Sequence, residues 1–210
     1  MSTTQRRARE RENRRRSILD AARAVFFESG FQLATVDDVA ARAEVSKGTV
    51  YLYFESKETI LAHLLLEGLE ELVAMLEDAY AAGRDIAPVE RLRRLALGYF
   101  LFFQANPHYY RLIMAFDRGH FQEAVPPELY AQVLTRSLRG FHRAVQTMQQ
   151  GMEQGVFSVT DPRQAAAAVW AGINGSLVLL GHPLRREMVA SDVESLYWTT
   201  FDILVRGLRT

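Results

Sequence analysis

The sequence predicts an all-α protein, and three observations carry that prediction. Apolar residues recur at helical spacing from end to end, with no convincing apolar–polar alternation of the kind a strand needs. Helix-opening signatures are frequent: Thr35 with Asp38, Ser46 before Lys47, Ser56 before Lys57, Asp161-Pro162-Arg163-Gln164 and Ser191-Asp192-Val193-Glu194. Between them fall residues that stop helices, at Gly30, at Ala81-Ala82-Gly83 and at Asn106-Pro107. About nine helices are expected from these signals.

In chain order, residues 1–9 read as a basic, disordered arm. A first helix over residues 10–29 turns Ile18, Ala22, Val25 and Phe26 inward, with Gly30 as its left-handed stop. Thr35 caps a second helix with Val36, Val39, Ala40 and Ala43 on one face, and Asp38 places a negative charge in its first turn. Glu44-Val45-Ser46 interrupts the pattern, and Ser46 caps a third helix with Val50 and Phe54 inside. A fourth helix, opened by Ser56, is apolar at Ile60, Leu61, Leu64, Leu65, Leu69, Leu72 and Leu76 and ends at a hinge near Gly83. Further helices are expected over residues 89–104, 108–117, 128–151, 162–181 and 191–208, with a loop over residues 119–127. In the helix over 128–151, Leu134, Leu138, Phe141, Val145 and Met148 are the expected inner residues.

The second and third helices are separated by only a tight turn, which is the pattern of a helix-turn-helix. The outer side of the third carries Lys47, Gly48, Thr49, Tyr51 and Tyr53, a cation, short donors and phenols suited to base edges and phosphates. Upstream, residues 6–16 hold Arg6, Arg7, Arg9, Arg11, Arg14, Arg15 and Arg16 against Glu10 and Glu12, a local charge of +5. Whole-chain net charge is zero and hides this asymmetry. Residues 1–57 carry 11 basic and 8 acidic side chains, so +3, and the remaining 14 and 17 give −3. Basic charge beside a helix-turn-helix points to nucleic acid, and the acidic remainder points away from it.

Other classes find little support. With no cysteine the chain has no disulfide framework and no thiolate chemistry. The five histidines form no His-Glu-x-x-His pair, Asp117 and His120 read as surface groups, and neither a Gly-x-Ser-x-Gly elbow nor a phosphate loop appears. No enzyme, metal or cofactor is therefore expected. The arginine-rich start has no apolar stretch behind it, and the longest apolar run, residues 165–181, is short for a membrane span and contains Asn174 and Ser176. A cytoplasmic protein without a membrane partner is the expectation.

The order and spacing of Ile18-Leu19-Asp20-Ala21-Ala22, Phe26, Gly30-Phe31, Thr35-Val36-Asp37-Asp38-Val39-Ala40, Val45-Ser46-Lys47-Gly48-Thr49-Val50-Tyr51 and Tyr53-Phe54-Glu55-Ser56-Lys57-Glu58 resemble the TetR-type transcriptional repressors. That resemblance covers about the first quarter of the chain; beyond it, only helix number and length match. It implies a helix-turn-helix DNA-binding domain over residues 10–57 and a helical effector-binding and dimerisation domain over 58–210. It also implies a homodimer on a palindromic double-stranded DNA operator, released by a small molecule. By the same resemblance Thr35 and Lys57 would contact phosphate. Ser46, Lys47, Gly48 and Thr49 would face the bases, and Tyr51 and Tyr53 would touch backbone or bases.

For the effector, aromatic residues on the middle helices are the candidates: Phe103, Tyr110, Phe116, Phe141 and Trp170, with Asn174 as a polar orienting group. An aromatic enclosure with few charges suits a hydrophobic compound, although the same stripe also packs an ordinary core. For the dimer interface, small residues line the penultimate helix at Ala165, Ala168, Ala171, Gly172, Gly175 and Ser176, beside Leu177, Leu179 and Leu180. The last helix offers Val193, Leu196, Tyr197, Phe201, Leu204 and Val205.

Overall fold

Helices form where the capping chemistry and apolar spacing place them, and two more form where those signals are weak. The computed structural model describes residues 3–81, 86–116 and 121–209, and of Ala115 and Phe116 only the backbone. Its elements are α1 (Thr3–Ser29), α2 (Val36–Arg42), α3 (Lys47–Tyr51), α4 (Lys57–Ala81), α5 (Pro88–Ala105), α6 (Pro107–Phe116), α7 (Phe121–Ala124), α8 (Pro127–Glu153), α9 (Pro162–Leu180), α10 (Pro183–Val189) and α11 (Val193–Leu208). Among the described residues these are eleven helices rather than nine, with no strand and only an isolated bridge between Phe157 and Arg209.

The two additional helices are short. Helix α7 lies inside the expected loop, where Phe121 and Val125 are buried and draw the chain into one turn. Helix α10 begins with Pro183 and buries none of its residues, so no apolar periodicity announces it. A third difference is the start of α1, which lies at Thr3, so the segment expected as a disordered arm is helical from there on. Arginine, glutamine and alanine are good helix formers, no Gly or Pro interrupts them, and Arg6 pairs with Glu10 one turn on. The hinge residues Ala82 and Gly83, like Asp117 and His120, lie outside the described residues.

The chain divides into two compact units, Met1–Glu71 with Phe102–Ser137, and Leu72–Leu101 with Leu138–Thr210. The first unit is organised around α1 and the start of α4. Ile18, Ala22 and Phe26 of α1, Val39 of α2, Val50 and Phe54 at α3, and Ile60, Leu61, Leu64 and Leu65 of α4 are all nearly inaccessible to solvent. Arg23 grips Glu67 through Nε and Nη2 at 2.8–3.1 Å and also reaches Asp20, while Tyr109 of α6 donates to the same Glu67 carboxylate at 2.9 Å. The Tyr109 ring lies where a β-carbon on Gly68 would come within 2.8 Å, so α4 has no side chain at that point.

In the second unit α9 and α11 pack along their lengths, with Ile173, Leu177, Leu180, Tyr197, Phe201 and Val205 buried. The Tyr197 hydroxyl is satisfied by the Ala96 carbonyl at 2.7 Å, which ties α11 to α5. Asp161 caps α9 by accepting from the Arg163 and Gln164 amides, as the Asp-Pro-x-Gln signature requires. For α11 the cap is Asp192, accepting from the Ser195 amide at 2.8 Å, one residue later than Ser191. The expected inner line of α8 is only partly inside. Met148 is fully buried, but Leu134 and Leu138 are 45% and 41% exposed, and the turns are instead buried through Val133 and Thr147.

Candidate nucleic-acid interface

The α2–α3 pair is held at three points by short polar contacts. Thr35 forms a full capping box: its Oγ1 accepts from the Asp38 amide at 3.1 Å, and the Asp38 carboxylate accepts from the Thr35 amide and hydroxyl at 2.9 and 2.7 Å. These bonds to Thr35 hold the Asp38 carboxyl below its usual pKa. Between the helices, the Val45 amide bonds to the Ala40 carbonyl and the Glu44 amide to that of Ala41. Glu44 takes a left-handed φ of 53°. This is a Schellman stop built without glycine. Ser46 then opens α3, its Oγ accepting from the Thr49 amide at 3.1 Å and sharing a hydrogen with the Thr49 hydroxyl at 2.8 Å.

With Val50 and Phe54 fully buried, the opposite side of α3 is left outward. Lys47 and Gly48 are exposed, Tyr51 is 45% exposed, and Thr49 and Tyr53 are half-buried. A β-carbon on Gly48 would meet only the Ser46 Oγ at 3.8 Å, so nothing within the protein requires a glycine there, and its absence of side chain leaves a low point on the outer surface. The Lys47 ammonium is paired with Asp37 of α2 at 2.8 Å, which raises its pKa. Both groups are exposed, so this pair contributes little and is readily exchanged for another acceptor.

Two expected phosphate contacts are already engaged. The single hydroxyl hydrogen of Thr35 goes to Asp38, so an anion at the start of α2 would be met by the first backbone N–H groups of the helix. Lys57 donates to the Phe31 and Ala34 carbonyls, both at 2.9 Å, and lies over the Phe31 ring at 4.4 Å. Two of its three hydrogens thus pin the α1–α2 connection.

Three side chains that were not among the expected individual contacts complete the site. Asp37 holds Lys47. Arg15 of α1 lies over the Phe54 ring at 5.2 Å and reaches both ring nitrogens of His63 on α4 at 3.0–3.2 Å, while His63 stands edge-on to Phe54 at 5.6 Å. Burial, reinforced by the Arg15 charge, pushes the His63 pKa down to about 4. This cluster fixes the chain just beyond α3 between α1 and α4. Its signal in the sequence is absent because the residues come together only across separate elements.

The six candidate effector residues fall into separate groups. In the first unit the Phe103 and Tyr110 rings meet edge to face at 4.9 Å, and the Phe116 side chain lies outside the described residues. In the second unit Phe141 and Trp170 are 6.3 Å apart, Trp170 is 44% exposed, and Asn174 accepts from the Tyr99 hydroxyl at 2.9 Å. A separate hollow of about 270 Å³ on the second unit is lined by Glu90, Arg93, Arg94, Leu97 and Trp198, none of them among the six.

Likewise, the small residues of α9 separate by side. A β-carbon on Gly172 would strike Leu204 at 2.4 Å, and Ser176 bonds to the Gly172 carbonyl and the Thr200 hydroxyl, so these two serve the contact with α11 of the same chain, and Ala165 is buried. Ala168, Ala171 and Gly175 are exposed, with nothing within 4 Å of a β-carbon on Gly175. Val178 and, on α11, Ile203 are exposed as well, at 38% and 57%.

Residues 18–64 match the family model described as bacterial regulatory proteins, tetR family. The match begins at Ile18, where α1 also begins to be buried. The chain is 33% identical over 123 residues to the HTH-type transcriptional activator FasR of Mycolicibacterium smegmatis, an alignment covering 59% of this chain and 53% of FasR, about half its length. It is 29% identical over 145 residues to the HTH-type transcriptional repressor KstR2 of Mycobacterium tuberculosis, covering 69% and 70% of the two chains. Among solved structures, the TetR family transcriptional regulator PfmR of Thermus thermophilus superposes with a TM-score of 0.68 at 27% identity, over 92% of this chain and 99% of PfmR.

The His63 cluster makes stability depend on pH in a defined window. In the unfolded chain the imidazole titrates near its ordinary value of 6.5, whereas in the folded protein it stays neutral to about 4. As pH falls from 6.5 to 4 the unfolded state takes up a proton that the folded state refuses, so stability falls over that range. Urea unfolding at pH 7.5 and pH 5 is expected to show this loss in the wild type and a smaller one in His63→Gln.

Proposed function

This chain belongs to the TetR-type bacterial transcriptional regulators, and from that premise we propose that it is a repressor that holds a palindromic operator as a homodimer and releases it when a small hydrophobic molecule binds. The observation that carries the DNA-binding part is the α2–α3 pair. Its helix caps and turn are satisfied within the protein, its inner side is closed by Val50 and Phe54, and its outer side offers Lys47, Gly48, Thr49 and Tyr51. An ammonium at the front of a groove-bound helix donates to guanine O6 and N7, and a threonine methyl fits against that of thymine. Ser46 serves chiefly as the cap that orients them, and Tyr53 and Lys57 stand at the backbone. Residues 10–57 are the DNA-binding domain in this reading, and residues 58–210 carry the effector and dimer functions.

The dimer reading rests on the exposed line of Ala168, Ala171, Gly175 and Val178 on α9 with Ile203 on α11. Small residues allow close helix approach, and a two-fold dimer suits a palindrome. For the effector, the aromatic groups around Phe103 and Tyr110 and around Phe141 and Trp170 support an apolar ligand. Release follows from linkage, since a ligand that prefers a conformation with misplaced recognition helices weakens DNA binding by the factor that DNA weakens its own. FasR is named an activator and KstR2 a repressor, so transcription in vitro from a bound promoter decides the sign.

Selection of duplexes from a random library by the full-length protein tests the first part. Lys47→Ala and Thr49→Ala are each expected to cost about 1–3 kcal/mol on the selected site and to relax the choice of bases. Unchanged affinity and sequence preference in a Lys47→Ala, Tyr51→Ala double variant would refute the assignment. Gly175→Arg is expected to give a folded monomer in sedimentation experiments and to weaken operator binding. Gly172→Arg instead destabilises the chain itself, because of Leu204. An unchanged dimer in Gly175→Arg places the interface elsewhere. Hydrophobic compounds that co-purify with the protein, identified by mass spectrometry, are expected to lower operator affinity by roughly 5–150-fold, the usual span of such coupling. Phe103→Ala should alter that response while leaving ligand-free DNA binding nearly unchanged.

A further inference from the structure

Helix α1 changes character along its length. From Ile18 onward it contributes Ile18, Leu19, Ala21, Ala22, Val25 and Phe26 to the core. Residues 3–17 have no buried member, and only Arg15, against Phe54 and His63, is half-buried. At 1.5 Å per residue this segment projects about 22 Å. Seven arginines lie on it, with Glu10 and Glu12 as its only acids.

These arginines are not scattered evenly round the helix. Arg7, Arg11 and Arg14 follow the four-three spacing that continues through Ile18, Ala21 and Val25, all buried. At about 100° per residue all six share one side of α1, and Arg9 and Arg16 fall on the opposite side, with Arg6 flanking them. The line that α1 buries in the domain therefore becomes a line of guanidiniums where the helix outruns the domain. It leaves beside Phe54, three residues past the end of α3.

Such a helix is poorly suited to bare water. Like charges at i,i+3 and i,i+4 oppose each other. A polyanion along the line relieves the repulsion. Residues 3–17 contain one apolar side chain, Ala8, so there is no apolar face to enter a lipid surface, whereas forked guanidiniums suit phosphates.

We propose that residues 3–17 of α1 dock as a rigid helix on the phosphate backbone of the operator, outside the base pairs read by α3, with Arg7, Arg11 and Arg14 as the contacts. This rests on the operator-binding reading above and extends the footprint beyond the helix-turn-helix.

Two triple variants with the same change of charge test it, Arg7→Gln/Arg11→Gln/Arg14→Gln and Arg6→Gln/Arg9→Gln/Arg16→Gln. None of the six residues is buried, so both should retain the wild-type Tm. The probe is a duplex selected by the full-length chain, trimmed stepwise from its ends. Each lost phosphate contact removes about 0.9 from the slope of log K against log salt. The first variant is expected to lose roughly 2–3 from the slope, and the second less than 1. Trimming the flanks should weaken the wild type and the second variant but not the first. Equal slopes in the two variants would mean diffuse attraction and overturn the proposal, as would unchanged slopes in both. Binding to vesicles of anionic phospholipid that depends on the Arg7 line, without a change in DNA slope, overturns it in favour of a membrane. Failure of the full-length chain to select any duplex overturns the operator reading and this proposal together.

Discussion

A helix of five residues cannot hold its own shape, and the rest of the first unit is arranged to hold α3. Helix α3 spans only Lys47–Tyr51, far below the length at which a helix is stable alone. Its first turn is fixed by Ser46, its approach by the left-handed Glu44, and its last turn by Val50 and Phe54 in the core. Each anchor comes from a different level: local capping, turn geometry and tertiary burial. Their joint effect is to leave Lys47, Gly48 and Tyr51 on the outer side of α3, with Lys47 held by the exposed Asp37.

Phe54 ties this arrangement to the long helices. It meets Arg15 of α1 and His63 of α4, so a displacement of either helix moves the end of α3. Farther along, Glu67 of α4 is shared by Arg23 of α1 and Tyr109 of α6. The position of α6 is thereby coupled to that of α1 through one carboxylate. The proposed response to a ligand needs a mechanical route of this kind, through charge-assisted hydrogen bonds rather than loose surface contacts.

Small residues illustrate how identical residue types take opposite roles. Gly172 and Gly175 lie three positions apart on α9, yet the first receives Leu204 of its own chain and the second faces open space. Gly48 is likewise open, whereas Gly68 makes room for the Tyr109 ring. Close approach inside the chain and a bare surface look the same in the sequence, and only the position of the neighbouring helix separates them.

The sequence by itself determined the all-α class, most helix boundaries marked by a cap or breaker within the described residues, and the buried side of the α2–α3 pair. These are local matters: a hydroxyl at an N-cap and an apolar residue every third or fourth position act within a few residues of themselves. Tertiary structure decided what depends on distant partners. It sent Leu134 and Leu138 outward, engaged Lys57 with the Phe31 and Ala34 carbonyls, and paired Lys47 with Asp37. It also divided the effector candidates between two units. Helices α7 and α10 escaped notice because one or two turns of helix, burying one residue or none, carry too few apolar positions to establish a period. The helical start of α1 escaped because a run of arginines reads as a solvated tail until a helix carries its spacing into the buried line of the core. A side chain's type fixes what it can bond to, and which of those bonds it makes is fixed by what the fold brings within about 3 Å of it.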